Sequence, residues 1–159
     1  MSNEPKSNQS TTPPQDQSLW PKAILPTRIK APAAILKEQA SFLGRQTQNV
    51  LVGEVFSTKS RDQNELSYAF VLVAPALNDY RLMLFKVDHE AVKIYPLVIV
   101  SEFLASPPRP FMKWVVPNEA NFKNTLKIIF NHPKTLQAIQ SLLAQSEGYT
   151  PPKEEDLPF

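Results

Sequence analysis

The chain has 159 residues, enough for one domain, and 42% of them are hydrophobic, enough for a core. It contains no cysteine, which excludes disulfides, thiolate nucleophiles and cysteine-ligated zinc. The net charge of +2 is unevenly placed: residues 20–134 carry 15 Lys and Arg against 9 Asp and Glu, whereas residues 135–159 carry 1 Lys against 4 acids. A basic body with an acidic tail fits polyanion binding, but an excess of this size by itself fits an ordinary solvated surface better.

The opening Met1-Ser-Asn-Glu-Pro-Lys6 has no apolar region of the secretory kind. The longest apolar run, Tyr68 to Leu77, contains Pro75 and reads as a strand rather than a membrane span. A cytoplasmic location and no membrane partner are expected. Residues 1–19 are Ser, Asn, Gln, Thr and Pro with almost nothing apolar, which predicts a disordered arm. Residues 20–32 set apolar anchors and three cations between spaced prolines, which predicts an extended basic arm lying on the domain.

Residues 33–148 are expected to form a single α+β domain, and 149–159 a flexible tail. Within 33–47, Ile35, Leu36, Ala40 and Leu43 fall near one helical face, with Phe42 at its edge. Five runs rich in β-branched and aromatic residues follow: Val50–Phe56, Leu66–Val73, Tyr80–Val87, Tyr95–Val100 and Met112–Val116. Short gaps between them predict an antiparallel meander, with a small OB-like barrel as the alternative closure. Ser60–Glu65 reads as a polar loop, Leu77-Asn78-Asp79 as a turn, and Ser106–Phe111 as a proline-stiffened loop. Asn118 is placed to cap a helix over Glu119–Asn131, with Phe122, Leu126, Ile129 and Phe130 on one face. A second helix is predicted from Lys134 to Gln145, opened by Pro133 and ended by Gly148, with Leu136, Ile139, Leu142 and Leu143 inward.

Catalytic motifs are missing. There is no His-Glu-x-x-His, no Gly-x-Ser-x-Gly and no phosphate loop, and the 3 glycines are scattered. His89, in Asp88-His89-Glu90, reads as part of an exposed polar turn, and His132 as a linker between helices. The chain is therefore expected to be no enzyme, to need no cofactor and to hold no metal.

The ending Glu154-Glu155-Asp156-Leu157-Pro158-Phe159 carries the most specific chemistry. A terminal Phe159 offers a ring for an apolar pocket and a carboxylate for a cation at its rim. Pro158 limits the ordering cost, Leu157 adds a second apolar contact, and the three acids steer toward a basic ridge. This tip resembles the C-terminal peptide of bacterial single-stranded DNA-binding proteins, which are typically acidic and end Asp-Leu-Pro-Phe or Asp-Ile-Pro-Phe. The resemblance implies that the tip docks replication, recombination and repair enzymes. Asp156, Leu157, Pro158 and Phe159 match the core, while Glu154 and Glu155 stand where the family usually has Asp. The body departs from that family, which begins with an OB barrel and adds a long Gly/Gln/Pro-rich linker.

Sequence-tolerant binding of single strands needs a cationic groove and exposed aromatic faces. Candidate contacts fall in three places. The arm has Trp20, Lys22, Arg28 and Lys30; the strand region has Lys59, Arg61, Tyr80, Arg81 and Lys86; the proline loop and last strand have Arg109, Phe111, Lys113 and Trp114. Against this stands core or edge packing for Phe111 and Trp114, and anchoring of the arm for Trp20. The expectation is a non-catalytic DNA-metabolism protein that binds single-stranded DNA and recruits genome-maintenance enzymes. Two alternatives stay open. One is an adaptor or competitor that presents the tip without binding DNA, as a mobile-element or defence factor would. The other is a small-ligand or structural domain with a coincidental tail. Homo-oligomerisation also stays open, and several tails per assembly would add avidity.

Overall fold

The structure, a computed structural model, describes Asn3 and residues 17–149. The predicted tip therefore lies outside the described residues, as does most of the predicted disordered arm. Pro32 sits in the first turn of helix α1 (Pro32–Gln46), after an extended Ala31, where its missing N–H costs nothing. Ile35, Leu36 and Ala40 are buried on one face, whereas Phe42 stays exposed beneath the Arg45 guanidinium. Gln48 and Asn49, both at positive φ, turn the chain back into the sheet.

Strands β1 (Val52–Thr58), β2 (Glu65–Ala74), β3 (Tyr80–Glu90), β4 (Leu97–Ser101) and β5 (Met112–Val116) form one antiparallel sheet in sequential order. The meander is thus the observed arrangement. Among the described residues β1 and β5 do not pair, so the sheet does not close in the OB-like way. A 3-10 turn at Pro75–Leu77 and the left-handed pair Asn78 and Asp79 join β2 to β3. These are residues that tolerate such a backbone.

Period-two alternation sorts the sheet into two faces. The inner face carries Phe70, Leu72, Val87, Leu97, Ile99 and Val116, which join Ile35 and Leu36 of α1 in the main core. A bulge opposite Phe70 and Val71 turns both Leu84 and Phe85 inward. The Phe70 and Phe85 rings stack with centroids 5.3 Å apart, and Phe130 tilts onto both. Each such side chain contributes roughly 1.5–3 kcal/mol by leaving water. Gly53 lets α1 lie close on β1: a Cβ there would come within 2.8 Å of Ala40.

Helix α2 (Glu119–Phe130) begins as expected at Asn118, whose side chain accepts the Asn121 N–H at 2.8 Å. Phe122, Leu126 and Ile129 complete the core. Helix α3 (Pro133–Tyr149) departs from expectation twice. It runs through Gly148 to Tyr149 rather than ending at the glycine. Its inward face holds Leu142 as expected but also Thr135, while Leu136 is 40% exposed. The His132 ring accepts the Lys134 N–H at 3.1 Å between the two helices, as a linker residue can.

All helical packing falls on the inner face. The outer face gathers Ala69, Val71 and Val73 with Val52, and among the described residues no helix residue joins them. No helix among the described residues is long and apolar enough to cross a membrane.

Candidate nucleic-acid interface

The predicted contacts do not converge. In the arm, residues 17–31 are exposed along their length, and Trp20 is 76% exposed. The arm is therefore not laid down on the domain, and Trp20 anchors nothing. Lys30 is the residue that holds it. Its backbone N–H donates to Glu119 Oε1 at 3.0 Å, and its ammonium pairs with Glu38. The hydrogen bond from the Lys30 ammonium, and then its charge, hold the Glu38 carboxyl below the ordinary glutamate range. Beside the same root, burial and then the Glu119 charge push the Tyr95 phenol up to about 12. The Tyr95 hydroxyl is buried and finds no hydrogen-bond partner among the described residues.

The strand-region candidates are divided between the two sheet faces and a loop. Lys59 and Arg61 lie exposed in the β1–β2 connection, which is braced by the Asp62 side chain accepting the Asn64 N–H at 2.9 Å. Tyr80 lines an inner-side cavity of about 560 Å³ with Leu77, Leu82, Phe103 and Leu142. Arg81, one residue on, points to the outer face, where it pairs with Glu54 and covers the Phe56 ring at 4.9 Å. Its charge is already matched.

The register aligns Phe56, Ala69, Lys86, Val100 and Lys113 as one row straight across the outer face. Acids interrupt the surroundings: Asp88, which accepts from Ser67, lies in the next row, and Glu65 faces Glu90 beyond it. This face is mixed in charge and apolar at its centre, with Met83 and Val115 exposed. Arg109 is exposed on the proline loop, its backbone N–H bonded to Ser106 O at 2.9 Å. Phe111 is exposed too, but Trp114 pairs with Ile99 on the inner face and packs half-buried against the core. An indole so placed presents no open stacking surface.

His89 corrects an expectation. It is buried in β3, stacked on Tyr68 at 5.9 Å, with Nδ1 2.8 Å from Glu90 O. Strand alternation puts Asp88 and His89 on opposite faces, so Asp88-His89-Glu90 is not an exposed turn. The outer-face residues Phe56 and Met83 were not singled out in the sequence, although alternation along β1 and β3 marks their side. The acids that root the arm could not be found that way, since Glu119 is 89 residues from Lys30.

Compared with known proteins, the chain matches no family model, no curated protein and no solved structure.

Proposed function

We propose that this is a non-catalytic protein of DNA metabolism that binds single-stranded DNA and brings replication, recombination or repair enzymes to it through Glu154–Phe159. The observation that carries the reading is the sequence Asp156-Leu157-Pro158-Phe159 behind two further acids. Each residue of it has a physical role in a peptide captured by its apolar end and its carboxylate. The positive excess of residues 20–134 supports the DNA half of the reading.

The test uses an enzyme that binds the tips of bacterial single-stranded DNA-binding proteins. Deleting Phe159 should weaken its binding to the full chain by about a hundredfold, as loss of a hot spot does, and leave the melting temperature unchanged. Equal affinity with and without Phe159 would remove the recruiting role. A second reading, a competitor that shows the tip without holding DNA, is favoured by the scatter of the body candidates over both sheet faces and several loops. Titrating labelled poly-dT and a matched duplex at two salt concentrations separates them. DNA binding must weaken steeply with salt, because phosphate contacts release counterions.

A further inference from the structure

We infer that the arm, through Trp20, Lys22 and Arg28, is the element that holds the single strand; the inference rests on the proposed DNA-binding function and names its site. From Gln17 to Lys37 the sequence has 4 cations and no acid. Lys30 is taken up by Glu38 and Glu119 as the root of the arm. Among the described residues, neither Lys22 nor Arg28 lies within ion-pair distance of a carboxylate, in contrast to Arg81 with Glu54. The arm thus offers two cations without an ion pair, as Lys86 and Lys113 do on the sheet, and it sets them beside an open indole.

It also offers the most open aromatic among the described residues, Trp20 at 76% exposed against 50% for Tyr80 and 44% for Phe111. Trp20 is open to solvent, whereas Trp114 packs against the core and Tyr80 lines a cavity wall. An indole is a large apolar surface that proteins normally cover. Left bare next to cations, it matches the pairing of stacking platform and charge that sequence-tolerant single-strand binding uses.

The backbone fits the same ligand. Pro21 and Pro26 interrupt the run before Pro32, which keeps it extended and lowers the cost of ordering it along a strand. From Trp20 to Arg28 an extended chain spans about 26 Å, long enough to follow several nucleotides. The same prolines prevent the amphipathic helix by which short basic segments enter a membrane surface. A duplex offers the phosphates but hides the base faces that Trp20 would stack on.

Trp20 and Trp114 are the only tryptophans, so Trp114→Phe in the full chain leaves Trp20 as a reporter. Its emission should be quenched by poly-dT and little changed by a matched duplex. In the otherwise native chain, anisotropy of labelled poly-dT provides a second measurement that does not depend on that substitution. There Trp20→Ala should weaken binding about tenfold. The double variant Lys22→Ala/Arg28→Ala should lower the slope of log affinity against log salt by about 1.4. All three residues are exposed, so melting temperatures should not move. If the chain binds poly-dT and both arm variants bind as tightly as the parent, the arm is not the site, while the proposed function stands. If the chain does not bind poly-dT, both fall. If the arm residues instead govern binding to phosphatidylglycerol vesicles and not to poly-dT, the partner is a membrane surface and the inference is overturned.

Discussion

Tyr95 shows how one side chain beside the arm root has been left chemically exposed to change. Its hydroxyl is buried without a partner among the described residues, and its ionisation is pushed up to about 12 by burial and by Glu119. A phenol raised in the folded state favours the neutral form there. Its contribution is complete below the ordinary tyrosine value, about 10, and is lost as pH rises toward about 12. Tyr95→Phe removes both the unmatched hydroxyl and this alkaline loss. The variant should melt at the same temperature as the parent or slightly higher at pH 7, because an unsatisfied polar atom has gone. Its stability should also fall less steeply over the alkaline interval. Melting curves across that interval decide it, and a clear loss of stability at neutral pH would mean that the hydroxyl is hydrogen-bonded after all.

The arm root is a small element with its own pH response. Glu38 is depressed by Lys30, so the pairing is intact above the ordinary glutamate range and is lost as pH falls through the depressed value. Glu38→Gln should reproduce that loss at neutral pH: the Lys30 and Ile29 amides should show lower NMR order parameters while the core melts unchanged. Unaltered order parameters would mean that the Glu119 contact alone holds the root. The secondary elements themselves were largely legible, because a period of two and a period of 3.6 each leave a plain trace. Met112–Val116 and the Asn118 cap could be read directly. The failures have local causes. In α3 the inward row runs through Thr135, Ile139, Leu142 and Ser146, so Leu136, apolar as it is, stands about 100° off that row. Gly148 costs a helix only about 1 kcal/mol, too little to stop it. His89 looked like turn chemistry between two acids, yet pairing with Leu66 continues β3 past it.

At the scale of the molecule, two charged appendages of opposite sign share one basic body. Residues 135–159 hold 4 acids against 1 Lys, and the arm holds cations without acids. If they compete, removing residues 154–159 should tighten poly-dT binding by roughly threefold at low salt, and the gain should vanish as salt screens the attraction. Equal or weaker binding without the tip would show that the two act independently. The site was only half legible for a related reason. Composition reveals which cations exist, but Arg81 and Lys30 lose theirs to Glu54 and Glu38, partners fixed by sheet register and helix packing. Pro32 opens a helix of the inner layer, and among the described residues no helix joins the outer-face cluster of Ala69, Val71 and Val73. The exposed margin of that face is a natural place to fasten the protein to a support. Val115→Cys would put the sole thiol of the chain on an exposed position of β5, and a surface coupled there would leave the arm's side of the molecule turned toward solution.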